Sequence, residues 1–353
     1  VTGPGHSVFE ASEDEDTNFC ISILPKVSRT FALSIEALPP GLREPVRAAY
    51  LLCRIVDSIE DEPVLPADLR LALFDAFDLQ LLDDEASVAI FEARTTPLTG
   101  EPGAAADVEL CRRAGAVLRT FRRLPRTARE AIRPHVLEMS QGMRRYCERA
   151  DRRGFLQIED FADLETYCYY VAGTVGHLLT ALFEQAVPDM RAELIAAARV
   201  RAVPFGMGLQ MVNILKDVGR DRQRRVCFLP ASLARARGVP VEEIMEPRWH
   251  SRAMGMVRQV AHRARTHLDR ATEYTLLWSG PHAEPVRLFC AVPLALALAT
   301  LHEIETGVHT LKDGETPKIS RMLVMDVLSR TRAAVHDPDS LRAVLEGFGG
   351  NGT

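Results

Sequence analysis

The chain has 353 residues, 47% of them hydrophobic and 26% charged, and a formal net charge of −5. That composition is ordinary for a folded globular protein and argues against collagen-like, disordered and membrane-spanning classes. The small negative charge offers no basic footprint, so no nucleic acid is expected as a partner.

The chain opens Gly-rich and then acidic as far as Asp16. It lacks the basic-then-apolar layout of a signal peptide, and residues 1–17 are expected to be disordered. From about residue 18 to 346, apolar positions recur at helical spacing and no useful alternating run appears, so the fold class expected is all-α. An opening helix ends before Pro39-Pro40-Gly41. Further helices are expected over roughly 41–61, 66–82, 105–123, 126–149, 160–184, 190–222, 249–279, 284–310 and 320–333. Pro63 and Pro66 close the first of these, and Pro204 and Pro293 should kink long helices. Residues 95–106, with Pro, Gly and Thr, read as a loop, yet no composition shift marks a second domain. A single helical domain over 18–346 with a flexible tail at 347–353 is expected.

The longest oily run, 288–301, falls short of the about 20 residues a membrane-spanning helix needs and contains Pro293. It reads as a buried core helix. Seven cysteines, Cys20, Cys53, Cys111, Cys147, Cys168, Cys227 and Cys290, are scattered without a CxxC pair. They read as reduced core residues of a cytoplasmic protein.

Two acidic pairs carry the most information. Asp57 and Asp61 lie four apart in Tyr50-Leu-Leu-Cys-Arg-Ile-Val-Asp-Ser-Ile-Glu-Asp61, and Asp217 and Asp221 lie four apart in Gln210-Met-Val-Asn-Ile-Leu-Lys-Asp-Val-Gly-Arg-Asp221. Helical spacing puts Tyr50, Arg54, Asp57 and Asp61 on one stripe and Gln210, Asn213, Asp217 and Asp221 on another, with apolar residues around the rest. Most such pairs are a solvated face. Here the apolar surroundings and the repetition favour carboxylate rows facing a cavity, because buried like charges need a cation. Mg²⁺ takes one or two carboxylates and completes its shell with water and substrate phosphates, so the rows suit a metal-bound diphosphate.

Arg54, Lys216, Arg220 and Ser28-Arg29-Thr30 supply nearby positive or hydrogen-bonding groups. Their plainer role is neutralising the aspartates. Tyr167-Cys-Tyr-Tyr-Val-Ala-Gly-Thr-Val-Gly176 puts two glycines three apart on a helix, more often a packing device than a functional one. His177 reads as a core or cavity-edge residue. Neither HExxH, a P-loop, a GxGxxG after a strand nor a GxSxG elbow is present.

These segments, with Ser28-Arg-Thr-Phe31 and Phe289-Cys-Ala-Val-Pro293, together resemble the squalene and phytoene synthase family of head-to-head prenyl diphosphate transferases. They follow the family's order over roughly residues 20–320. Phe289-Cys-Ala-Val-Pro293 followed by Lys318-Ile-Ser-Arg321 is more similar to squalene synthases than to phytoene synthases. The resemblance implies an isoprenoid-synthase helical bundle around a deep central cavity, with two aspartate-rich helices facing each other across Mg²⁺. It implies that Asp57, Asp61, Asp217 and Asp221, helped by Glu60, hold the metal, and that Ser28, Arg29 and Arg54 grip diphosphate. Tyr50 would lie near the ionising group and Tyr167 near the carbocations, Gln210 and Asn213 would line the same wall, and Phe31, Val171, Val175, Phe289 and Cys290 would shape the prenyl tunnel.

The activity so implied joins two farnesyl diphosphates to presqualene diphosphate and reduces that to squalene with NADPH. Ser28, Asn213, Arg224, Arg225, Lys318 and Arg321 are the implied cofactor residues. Val226 departs from the pattern, standing where squalene synthases carry an Arg after Gly. The membrane-anchoring helix of eukaryotic members is not found, so contact with the inner face of a membrane would be peripheral. Open alternatives are a non-reductive member making dehydrosqualene, phytoene or hydroxysqualene, a class I terpene cyclase, which shares the Asn213, Asp217, Asp221 spacing, and a non-catalytic helical lipid-binding scaffold.

Overall fold

The computed structural model describes residues 7–62, 65–100, 103–306, 311 and 317–350, with the side chains of 7–14 and 29 outside the description. Pro63 therefore lies outside it, as do residues 1–6 and 351–353 of the two terminal segments. The described chain is helical apart from two strands of two residues each. Two compact units are resolved, Val1–Cys147 and Glu148–Thr353.

In the first unit the helices are α1 (Ser7–Val27), α2 (Arg29–Glu36), α3 (Pro40–Glu60), α4 (Ala67–Leu82), α5 (Val88–Thr95), α6 (Ala105–Arg112) and α7 (Ala114–Arg123), and α8 (Arg126–Arg153) begins there. α3 starts on Pro39 as N-cap and Pro40 as first residue, where the missing N–H would have no intrahelical partner in any case. It buries Leu42, Val46, Leu52, Ile55, Val56 and Ile59 and packs against α1, α4, α6 and α7. Beyond its exposed first turn, the stripe through Tyr50, Arg54, Asp57 and Asp61 stays partly accessible, with Ser58 and Glu60 beside it.

Three expectations need correction here. α1 begins at Ser7, inside the segment 1–17 read as disordered. Its Asp16 is buried and accepts from Arg119 Nη2 at 2.7 Å and Arg123 Nη1 at 3.0 Å, partners about a hundred residues away that local composition does not reveal. The helix expected over 105–123 breaks at Arg113, whose φ of −114° and ψ of 27° separate α6 from α7. The eight-residue α5 is too short for its periodicity to stand out.

The second unit continues with β1 (Leu156–Gln157), α9 (Phe161–Cys168), a π-helical turn at Tyr169–Gly173, α10 (Thr174–Ala186), α11 (Ala192–Gln223), β2 (Val226–Cys227), α12 (Ala231–Arg237), α13 (His250–Leu277), α14 (Glu284–Thr306), α15 (Arg321–Ala334) and α16 (Pro338–Phe348). α12 and α16 were not foreseen. β1 and β2 pair in parallel, Leu156 opposite Val226, and are too short to alternate visibly. α11 is the central element, packed against α9, α10, α13, α14 and β2. α16 runs to Phe348, two residues into the expected tail.

α14 also differs from expectation. At 23 residues and a mean hydropathy of 1.6 it is long and apolar enough to cross a membrane, Pro293 notwithstanding. Burial covers 72% of its most apolar window, which agrees with the core helix foreseen. All seven cysteines are buried and outside any disulfide.

The glycines of the Tyr167–Gly176 segment are packing devices. A methyl on Gly176 would sit 2.1 Å from the Ala202 carbonyl oxygen, and one on Gly206 would sit 2.0 Å from that of Ala172. The π-turn and α10 therefore meet α11 backbone to backbone, and Gly206, of little weight in the sequence, is half of the contact. Inside this contact the Thr174 N–H reaches the Tyr169 carbonyl, the five-residue step of a π-helix.

Gly206→Ala is accordingly expected to lower the thermal unfolding midpoint by about 2–6 °C, since overpacking costs roughly 1–3 kcal/mol. Gly41→Ala, where nothing lies within 4 Å of the added methyl, should be neutral or stabilising. Equal midpoints for the two variants in differential scanning calorimetry would contradict the close helix contact.

Candidate active site

The first acidic row lies on α3 among residues of α2 and α6. Ser28 caps α2, its Oγ accepting from the Phe31 N–H at 3.2 Å, and it also hydrogen-bonds Tyr50. The Phe31 and Tyr50 rings lie 5.5 Å apart. Burial pushes the Tyr50 hydroxyl up to about 12, outweighing the Ser28 hydrogen bond and the Arg54 charge, so it stays protonated at neutral pH. Ser28, Phe31, Tyr50 and Arg54 thus form one connected patch. Arg29 opens α2, but its side chain is outside the description.

Arg54 Nε donates to Asp107 Oδ1 at 2.7 Å, and its Nη1 lies 3.8 Å from Asp57 Oδ2. Burial works against the guanidinium charge, but the Asp107 hydrogen bond and the charges of Asp57 and Asp107 prevail and raise its pKa. Asp57, 28% exposed, is pushed up to about 7 by burial, with Asp61 and Asp107 adding to the rise and Arg54 opposing it. Glu60 and Asp61 are partly buried in the last turn and cap of the same helix. Asp107 is a residue that sequence reasoning missed. Its only signal was an acidic residue early in the helix after the 95–106 loop.

The second row lies on α11. Asp217 is 26% exposed, with Lys216 Nζ 3.2 Å from its Oδ2. Asp221 is 10% exposed, with Arg224 Nη1 3.6 Å from its Oδ1. Gln210 is partly buried, whereas Asn213 is exposed and accepts from Lys216 Nζ at 3.5 Å. Arg224 caps α11, and Arg225 beyond it takes a left-handed φ of 60°, uncommon for a residue with a side chain. Tyr167 on α9 is buried, its ring 4.5 Å from that of Phe228, a second residue that sequence reasoning passed over. Phe228 is held there by backbone bonds from Leu156 N to Arg225 O at 3.0 Å and from Ile158 N to Cys227 O at 3.1 Å.

Val171, in the π-turn, and Val175, in the first turn of α10, are partly buried. Phe289 and Cys290 are buried on α14, where the Phe289 ring lies 5.6 Å from that of Phe183. Lys318 and Arg321 are exposed around Ser320, which caps α15 by accepting from the Leu323 N–H at 3.1 Å.

Among the described residues no group of three or more His, Cys, Asp or Glu side chains converges as a closed metal site. The α3 row fits a cation electrostatically, because burial and the neighbouring Asp61 and Asp107 all disfavour the charged form of Asp57.

The raised pKa of Asp57 sets a pH dependence. An ordinary aspartate ionises near 3.8 and folded Asp57 near 7, so the stability from this group is present below about 4 and lost as pH rises through about 7. Asp57→Asn, which cannot ionise, should melt about 2–6 °C above wild type at pH 8 in chelator and by less than about half that margin at pH 5. An equal gain at both pH values in thermal unfolding would show that Asp57 is ionised throughout.

Comparison with known proteins bears on the family and the fold. The family model for squalene/phytoene synthase matches residues 24–323. A squalene synthase of Schizosaccharomyces pombe is 29% identical over 285 residues, covering 80% of this chain and 58% of its own length. Squalene synthase LSS of Botryococcus braunii is 26% identical over 328 residues, covering 90% of this chain and 66% of its own. The chain thus spans less than two thirds of the length of either relative. A solved complex of TcSQS with the ligand BPH1237 superposes with a TM-score of 0.77 at 26% identity, covering 95% of this chain and 90% of that one. With the helical fold, the acidic rows and a family match over most of its length, this chain belongs to the squalene/phytoene synthase family.

Proposed function

We propose that this protein joins two molecules of farnesyl diphosphate head to head into presqualene diphosphate and then reduces that cyclopropane to squalene. The observation that carries this reading is the partly buried α3 row, where Asp57 and Asp61 stand beside Arg54 and a protonated Tyr50. Relatives named squalene synthases support the substrate and product.

Asp57, Asp61 and Glu60 in the first unit, and Asp217 and Asp221 in the second, would hold Mg²⁺, which when bound stabilises negative charge on the departing diphosphate. Arg54, Ser28 and Arg29 would bind diphosphate oxygens, the guanidinium offering a planar fork to them. The Tyr50 hydroxyl, protonated at neutral pH, donates a hydrogen bond rather than taking up a proton. Tyr167 presents an aromatic face, fixed against Phe228, of the kind that stabilises a carbocation. Gln210 and Asn213 would complete the polar wall. Phe31, Val171, Val175, Phe289 and Cys290 would supply apolar surface that keeps water from quenching the cation.

NADPH supplies a hydride when bound. Lys318 and Arg321, exposed at the start of α15 where free N–H groups and the helix dipole favour anions, suit its phosphates. Arg224, Arg225, Ser28 and Asn213 would make the remaining contacts. A second reading keeps the condensation and omits the reduction, giving dehydrosqualene, phytoene or hydroxysqualene. It is favoured by Val226, which brings no charge where the resemblance calls for Arg. The water-insoluble product supports release from a cytoplasmic protein at the inner face of a membrane.

Incubating the protein with farnesyl diphosphate and Mg²⁺, with and without NADPH, and extracting the lipids tests the proposal. Squalene is expected only with NADPH. Asp57→Ala and Asp217→Ala should each lower turnover by at least ~100-fold, the scale of removing one electrostatic catalytic element. Unchanged substrate would overturn the function, and a main product indifferent to NADPH would favour the second reading.

A further inference from the structure

We propose that Asp107 is a positioning residue for Arg54: it holds the guanidinium through Nε and so keeps Arg54 from closing on Asp57, leaving that carboxylate to a divalent cation. This rests on the function proposed above. The geometry is a three-membered chain within the first unit, Asp107 Oδ1 to Arg54 Nε at 2.7 Å and Arg54 Nη1 to Asp57 Oδ2 at 3.8 Å. Arg54 has engaged its inner nitrogen and left its outer ones short of a tight pair with Asp57. The outer nitrogens are the ones that present a fork to diphosphate oxygens. Without Asp107, the next carboxylate in reach is Asp57, and a small rotation would make that ion pair direct. A cation would then have to displace Arg54 before it could bind.

Asp107 is well placed for such a role. Its side chain is 16% exposed, and it sits in the first turn of α6, where the helix terminus favours a negative charge. The loop leading to α6 is fastened to the end of α3 by Glu62, the residue after Asp61. Glu62 is 3% exposed; its Oε2 accepts from Thr99 N at 3.0 Å and Gly100 N at 2.8 Å, and its Oε1 from Thr99 Oγ1 at 2.8 Å. Arg112 Nη2 donates to the Leu98 carbonyl at 3.0 Å from the far end of α6. α3 thus grips the loop through Glu62, and α6 grips α3 through Asp107. These part-buried hydrogen bonds, at Thr99, Gly100, Leu98 and Arg54, support the position of the Asp107 carboxylate.

The test is calorimetric titration of inorganic pyrophosphate into wild type, Asp107→Ala, Asp107→Asn, Arg54→Ala and the Arg54→Ala/Asp107→Ala double variant over a range of Mg²⁺ concentrations, with thermal unfolding of each. Asp107→Ala is expected to raise the Mg²⁺ needed for half-maximal binding about tenfold, as loss of a group supporting a metal site does. Asp107→Asn keeps an acceptor for Nε without the charge and should raise it less, and it decides the matter if the alanine variant does not fold. In the Arg54→Ala background, Asp107→Ala should add nothing, because the effect passes through Arg54. If wild type binds and the Asp107 variants match it, or if the penalty persists without Arg54, the positioning role is overturned and the proposed function stands. If wild type itself fails to bind pyrophosphate with Mg²⁺, both fall.

Discussion

Like charges held at one face of a helix that is buried on most of its other sides cannot turn away from each other or from the core. That constraint governs the first unit. α3 is committed on most of its circumference by Leu42, Val46, Leu52, Ile55, Val56 and Ile59. Tyr50, Arg54, Asp57 and Asp61 are therefore kept together whether or not a ligand is present. The remaining freedom lies in how their charges are balanced, and the balance is uneven. Asp57 loses its charge near neutrality, while Asp107, from another helix, takes the strongest hold on Arg54. On the function proposed above, such a site would accept a cation accompanied by an anion, because the cation would favour the charged form of Asp57 and the anion would engage the outer nitrogens of Arg54.

The second unit solves a different problem, which is to seat an aromatic residue firmly beside an acidic helix. Glycines 176 and 206 let the π-turn and α10 approach α11 backbone to backbone. The extra residue in the π-turn is accommodated at that contact, directly after Tyr167 and its neighbour Cys168. On its other side the Tyr167 ring meets Phe228, and Phe228 is fixed by a strand pairing only two residues long. Small residues, one irregular turn and a short ladder together place a single ring. None of these devices is chemical in itself. Each supplies rigidity, which the carbocation pathway of the proposed function would demand of its walls.

The segment after α11 is where this chain departs from the pattern of the family's reductive members. Where the resemblance calls for a Gly followed by Arg, Arg225 and Val226 stand, and Arg225 takes a left-handed φ of 60°, a conformation glycine adopts freely. Arg224 meanwhile pairs with Asp221, so the positive charge near this turn is shared between the acidic row and any anionic ligand.

Much was legible in the amino-acid order alone. The helical class, the acidic stripes on α3 and α11, the buried reduced cysteines and the core placement of the apolar helix α14 all follow from spacing and composition, because a 3.6-residue period and a run of apolar residues are local properties. The glycines of the Tyr167–Gly176 segment were rightly weighed as packing devices on the same grounds. What stayed hidden required partners distant in the chain. Asp16 is ordered by Arg119 and Arg123, Arg54 is held by Asp107, Tyr167 rests on Phe228, and Gly206 matters only because Ala172 lies against it. Sequence by itself determined which residue types share a helix face. Tertiary structure alone decided which charge answers which, because burial and pairing energies depend on through-space distance, and residues a hundred positions apart leave no periodic trace of their contact.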